Sequence, residues 1–250
     1  MAKLYVFGIG GTGSRVIKSL TMLLASGVKL SDSFDTIVPL IIDPDAANGD
    51  LNRTTDILYK YQKINNVTIS NSGLFSTKIA TMKQLLDGKA IGLADHFISG
   101  MSNTGQKFSE FIDYNGLSDD NKALIDLLFS KENLEADMTV GFKGNPNIGS
   151  IVLNGFAGSD EYREFCNTFN PGDAIFIINS IFGGTGASGF PLLLKNLRKS
   201  DASIPNSDKV SKAVIGGITY LPYFNLHDGG VSEDREIDST SFMNKSKAAL

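Results

Sequence analysis

The chain has 250 residues, of which 42% are hydrophobic and 20% charged, an ordinary balance for a globular protein that excludes intrinsic disorder and collagen-like repeats. Its formal net charge of −4 supplies no global basic field, so neither nucleic acid nor an anionic membrane is expected as a partner. One cysteine, Cys166, cannot form an internal disulfide, and with only His96 and His227 beside it a His/Cys zinc site has too few ligands. A chain of this kind, with no apolar run near the twenty or so residues of a membrane span, is expected in the cytoplasm.

In chain order, residues 3–7 form an apolar run that stops at Gly8, the pattern of a short buried strand. Residues 13–25 follow with Val16, Ile17, Leu20, Leu23 and Leu24 at helical spacing, ended by Gly27. A second buried strand is predicted at 37–42, closed by Asp43-Pro44-Asp45, then a helix over 51–61 and a short strand over 67–70. The stretch 74–136 is polar and less patterned. It reads as a helical insertion, with helices at 78–86, 106–112 and 121–129. Beyond it come a helix at 162–169, a buried strand at 174–181, a helix at 187–197 and a strand at 213–220. A last helix is predicted over 239–250, capped by Asp238 or Ser239. Buried strands alternating with helices predict a single α/β domain over 1–250, a Rossmann-like parallel sheet with helices on both faces. Ligands of such sheets bind beyond the carboxyl ends of the strands.

Four loops at those ends share one chemistry. The first is Gly8-Ile9-Gly10-Gly11-Thr12-Gly13-Ser14. Its glycines let the backbone approach a phosphate, and the helix that follows turns free N–H groups toward the anion. The second, Asp43-Pro44-Asp45-Ala46-Ala47-Asn48, puts acids where a ribose hydroxyl or a cation is usually met, or where a helix is simply capped. The third, residues 141–149, carries Lys143, Gly144, Asn145 and Pro146 with no hydrophobic period, and reads as a loop. The fourth, Phe182-Gly183-Gly184-Thr185-Gly186-Ala187-Ser188-Gly189, is a second phosphate-cradle candidate, opening a helix with Pro191 in its first turn. No Walker sequence is present. Eleven of the 26 glycines fall in the first, third and fourth of these loops, which makes the composition a matter of one distributed site.

The fourth loop resembles the G-G-G-T-G-[ST]-G signature of the tubulin and FtsZ superfamily, and among its members the divergent bacterial tubulin-like proteins. Gly183, Gly184, Thr185 and Gly186 match; Phe182 replaces the first glycine, Ala187 stands where Ser or Thr is usual, and Ser188 where the last glycine is usual. The other loops fall in the family's order, and residues 144–149 resemble its G-N-P-x-x-G loop. The resemblance implies a GTPase-domain fold that binds GTP or GDP with Mg2+. It implies phosphate contacts from Gly10, Gly11, Thr12, Gly13 and Ser14, and from Gly183, Gly184, Thr185, Gly186, Ala187 and Ser188. Asp43 and Asp45 would lie near the metal through water, Gly144 and Asn145 would sense the γ-phosphate, residues 220–228 would contact the sugar, and Asn244 would read guanine. It further implies head-to-tail self-association into filaments, with hydrolysis completed by an acidic loop of the next subunit. That loop and a second domain are expected beyond the central helix in which residue 250 would lie, so the chain is expected to bind nucleotide with weak or no turnover.

Two other readings stay open. The first half resembles the ThiF-like adenylating enzymes, through G-x-G-G-x-G-S, then Asp43, Asp45, Asn52 and Arg53, with Cys166 the only candidate thiol. A nicotinamide-dependent oxidoreductase is allowed by the first glycine loop and Asp43.

Overall fold

The computed structural model describes residues 2–45, 48–67, 73–86, 97, 106–138, 142, 144–222, 244, 246 and 247. Five strands, β1 (Ala2–Ile9), β2 (Phe34–Ile42), β3 (Lys78–Ile79), β4 (Ala174–Ser180) and β5 (Val214–Tyr220), form one sheet in the order β3-β2-β1-β4-β5. Every pairing is parallel. The fold is therefore α/β and Rossmann-like, as the alternation of elements predicts. Because β1 is central and chain order runs outward from it on both sides, the crevice between β1 and β4 is the topological switch point.

The helices are α1 (Gly10–Ala25), α2 (Gly49–Val67), α3 (Met82–Leu85), α4 (Phe108–Phe111), α5 (Asp119–Leu128), α6 (Lys131–Leu134), α7 (Pro146–Asn154), α8 (Asp160–Thr168), α9 (Gly184–Arg198) and α10 (Ser207–Ser211). The period-2 pleat divides the strands' apolar side chains between two cores. Tyr5, Phe7 and Ile9 join Val38, Leu40, Ile175 and Ile177 on one face, covered by Val152, Leu153, Phe165, Leu193 and Leu197 of α7, α8 and α9. Val6 joins Ile37, Ile41 and Ile178 on the other, covered by Ile17 and Leu24 of α1 and Leu51, Leu58 and Tyr61 of α2. Continuous apolar runs such as Ile175 to Ile178 follow from this, since both faces are dry.

Several elements differ from their sequence expectation for identifiable reasons. The third strand is Lys78–Ile79, paired to Thr36 and Ile37, where a helix over 78–86 is expected. The helix starts only at Met82, because Thr81 forms a capping box with Gln84 that sets the N-terminus there. The expected strand at 67–70 is not formed at Val67, which ends α2; residues 68–70 lie outside the described residues. The third glycine loop gives way to α7 at Pro146. Asn145 caps it, its side-chain oxygen accepting from Asn147 and Ile148 N–H, and proline at the first helical position needs no N–H partner. Pro191 sits inside α9 and not in its first turn, so the carbonyl of Ala187 lacks its usual i+4 donor. The 74–136 stretch is woven into the domain. It holds β3, and Phe97 is fully buried with its carbonyl accepting from Ile41 N–H at 2.8 Å. The expected last helix lies largely outside the described residues; Asn244, Ser246 and Lys247 are helical.

The amino-terminal edge of the sheet is held by charge. Asp173, just before β4, accepts from Lys3 N–H at 2.7 Å and Asn170 N–H at 2.8 Å, and pairs with Lys3 Nζ at 2.9 Å. Its side chain is 0% exposed. Asp173→Ala would take the carboxylate partner from two partly buried backbone donors and from the largely buried Lys3 ammonium, and should destabilise the fold by roughly 2–4 kcal/mol in urea unfolding at neutral pH. A loss under about 1 kcal/mol would show that the latch contributes little.

Candidate functional site

Two helices begin at the switch point with no side chain between them and the sheet. α1 leaves β1 directly through Gly10, whose φ of +68° is a conformation that other residues rarely adopt. Three residues on, Gly13 lies against the strand it has just left. A Cβ there would sit 2.7 Å from Gly8 Cα and 2.9 Å from the Ile178 carbonyl oxygen. α9 leaves β4 after Gly183, and Gly186 repeats the arrangement, its position lying against the backbone of Ser180. The two turns touch: a Cβ on Gly10 would be 3.3 Å from Thr185 Cβ.

Neither helix has a side-chain cap, and neither has an acidic residue in its first turn. By contrast α3, α6, α7 and α8 each start on a capping side chain. The first-turn N–H groups of α1 and α9 have no partner within their own helix, and the positive ends of both helix dipoles point into one place. That place is an open cleft of about 300 Å³, reached by Gly10, Gly11, Thr12 and Arg15 from α1 and by Ser180, Phe182, Gly183, Gly184, Thr185 and Gly186 from the fourth loop.

The other two loops complete the rim. Gly144, at φ +71°, and the buried Phe142 form a turn closed by Asn145 N–H donating to the Phe142 carbonyl at 2.7 Å. This turn packs on α9, for a Cβ on Gly184 would lie 2.8 Å from Phe142 Cβ and 3.4 Å from Gly144 N. From the end of β2 come Asp43, Asp45 and Asn48. Asp43 is 7% exposed. Its carboxylate accepts from Asp45 N–H at 3.1 Å and from Asn48 Nδ2 at 2.9 Å, while Asn48 Oδ1 accepts from Asp50 N–H at 2.9 Å. Burial pushes the Asp43 carboxyl up to about 6, against the lowering effect of the Asp45 N–H. Arg15 reaches Asp50 at 3.2 Å, and Arg53 holds the same carboxylate at 2.9 Å.

Of the residues singled out in the sequence, the structure thus gathers Gly10, Gly11, Thr12, Asp43, Asp45, Gly144, Gly183, Gly184, Thr185 and Gly186 around one cleft. Six others do not line it. Gly13 is buried against Gly8. The Ser14 hydroxyl donates back to the Gly10 carbonyl at 3.2 Å, and Ser188 donates to the Gly184 carbonyl at 2.6 Å, so both hydroxyls serve their own helix. Asn145 spends its oxygen on the cap of α7 and its amide on Asn133 Oδ1 at 2.8 Å. Ala187 is half-buried on α9, and Asn244 is exposed. Arg15 and Ser180 line the cleft as well, without belonging to any of the four loops as the sequence delimits them. Arg15 follows the last residue of the glycine motif, and only its place on the cleft side of α1 reveals it. Lys143, His96 and His227 lie outside the described residues.

Cys166 is fully buried in the aromatic core beside Phe165, and burial pushes its thiol up to about 12, so it is not an available nucleophile. Among the described residues no group of three or more His, Cys, Asp or Glu could hold a metal by itself, and no helix is long and apolar enough to cross a membrane.

Two outcomes follow from this geometry. Gly186→Ala forces a Cβ against Ser180 and should destabilise by roughly 2–4 kcal/mol, whereas Gly183→Ala, at φ −118° with only Ser180 Oγ at 4.0 Å, should stay within about 0.5 kcal/mol in denaturant unfolding. The raised Asp43 carboxyl means that the folded state keeps a proton which the unfolded chain releases near pH 4. Stability attributable to this group is therefore full below about pH 4, falls as pH rises to about 6, and is flat above, with a total loss of up to roughly 3 kcal/mol. Asp43→Asn should raise the neutral-pH unfolding midpoint and flatten that slope; an unchanged slope would mean that Asp43 is ordinarily acidic. No protein-family model matches this chain, and no curated protein matches it.

Proposed function

We propose that the chain is a nucleotide-binding domain of the tubulin/FtsZ type, taking GTP or GDP in the cleft between β1 and β4. The observation that carries the reading is the convergence of two uncapped, glycine-built helix N-termini on one cleft with the third glycine turn against them. A di- or triphosphate suits this arrangement, because its charge is met by backbone N–H groups and two helix dipoles with no need of a lysine. Arg15 adds a cation at the rim, half-neutralised by Asp50. Asp43, with both carboxylate oxygens already engaged, serves to shape the second loop and is not the free acid that a ribose pair requires.

The donor set is also compatible with Mg2+. Asp45 offers a carboxylate at the rim, shaped by the buried Asp43 behind it, and one or two carboxylates are what this ion takes when phosphates and waters supply the rest. When bound, Mg2+ would neutralise phosphate charge, and Asp45 at the rim is the residue placed to hold its water shell. Filament formation and a cytoplasmic role belong to the same proposal and rest on the resemblance of residues 183–186 and 144–149. The buried Cys166 counts against the adenylating-enzyme reading. The strand order is shared with dinucleotide-binding sheets, which keeps NAD as the competitor.

Calorimetric titration with GTP, ATP and NAD separates these. GTP should bind in preference to the other two, and Gly183→Val, at a position where an added Cβ meets only Ser180 Oγ at 4.0 Å, should weaken GTP by about tenfold or more while melting as the wild type does. Selective NAD or ATP binding would overturn the guanine-nucleotide reading.

A further inference from the structure

Asn179 is the sixth residue of β4 and is 0% exposed. A buried amide must be hydrogen-bonded or it destabilises the fold, and this one is engaged on both ends. Its Oδ1 accepts from Thr219 Oγ1 at 2.8 Å. Its Nδ2 donates to the carbonyl of Gly186 at 3.3 Å and to that of Ser180 at 3.4 Å. Gly186 lies in the first turn of α9, at the cleft, while Thr219 sits on the neighbouring strand β5, in register with Asn179 and outside the cleft lining. A second bond runs beside it, from Ile181 N–H to the Tyr220 carbonyl at 3.2 Å.

We propose that Thr219 is a positioning residue for the nucleotide cleft, acting through Asn179 on the first turn of α9; this rests on the nucleotide-binding reading above. The physical reason lies in the two faces of an amide. The Asn179 amide has one acceptor and one donor end, and rotation by half a turn exchanges them. The Gly186 and Ser180 carbonyls can only accept, so they set Nδ2 toward the glycine turn and leave Oδ1 to be satisfied by the Thr219 hydroxyl. With that hydroxyl gone, Oδ1 is a buried acceptor without this donor, and an amide that shifts to satisfy it draws Nδ2 off the Gly186 and Ser180 carbonyls. The turn that offers its N–H groups to phosphate would then lose the donor that fixes its carbonyl side.

The test compares Thr219→Val, which keeps the shape and removes the hydroxyl, with Thr219→Ser, which keeps the hydroxyl. Binding of a fluorescent GTP analogue is titrated for each, and amide exchange at residues 184–186 is followed in the nucleotide-free proteins. Thr219→Val should raise the dissociation constant by about fivefold or more and speed exchange in that turn, with Thr219→Ser within about twofold of the wild type on both readouts. Wild-type affinity and exchange in Thr219→Val would overturn the inference alone. Equal losses in both variants would overturn it too, since the hydroxyl would then not be the cause. A wild type that binds none of GTP, ATP or NAD would overturn the nucleotide reading and the inference with it.

Discussion

The contact on which the rest depends is backbone against backbone. Gly13 meets Gly8 and the Ile178 carbonyl, and Gly186 meets Ser180, with no side chain between helix and strand. Only that approach lets α1 and α9 start flush with the carboxyl edge of the sheet. Helices set back by the width of a side chain would aim their first turns past each other. The close approach also explains why Ser14 and Ser188 are small and buried, and why their hydroxyls bond to the carbonyl four residues earlier and not outward. These positions belong to the packing that creates the cleft, and the surface of the cleft is left to the residues one turn nearer the strand.

The glycines of the two loops therefore fall into two groups that a motif does not separate. Gly8, Gly13, Gly184, Gly186 and Gly189 each face protein atoms close enough to exclude a side chain, whereas Gly183 opens on free space. A pattern such as G-x-G-x-x-G records both groups with one letter. The division matters for any mutational study of such a site, because a binding defect at the first group reports on folding and one at the second on the ligand. Gly10 stands between the groups, required by its backbone angle and also near Thr185 across the cleft.

Much of this was legible in the sequence. The strands carrying Tyr5, Ile37, Ile175 and Ile218 announce themselves as apolar runs stopped by turn residues, and the loops after β1, β2 and β4 share a glycine- or acid-rich chemistry in the sequence and border one cleft in the structure. What was hidden was hidden for physical reasons. β3 is two residues long and has no period to detect. α7 begins in Asn-Pro and contains Gly149, so its composition is that of a turn, yet Asn145 and Pro146 are an N-cap and first-turn pair. The side chain of Asn145 reads as a ligand donor in sequence and is taken up by α7 and Asn133 in space. Arg15 has no motif of its own and gains meaning only from the cleft it borders and the Asp50 it pairs with.

The central position of β1 has a consequence for how the chain is made. β1 pairs on one side with β2, close behind it in sequence, and on the other with β4, whose Ala174 partners Leu4. A ribosome that has delivered β1, α1, β2 and α2 has built one half of the sheet with an open inner edge. At about 5–20 residues per second, that edge waits on the order of ten seconds for β4 to emerge. The waiting edge is the hydrophobic centre of the finished sheet, including Tyr5 and Phe7, and an unpaired strand of that kind is prone to pair with the wrong partner. The cleft lies on the same seam. The cleft therefore cannot form until β4 has emerged and the seam between β1 and β4 has closed.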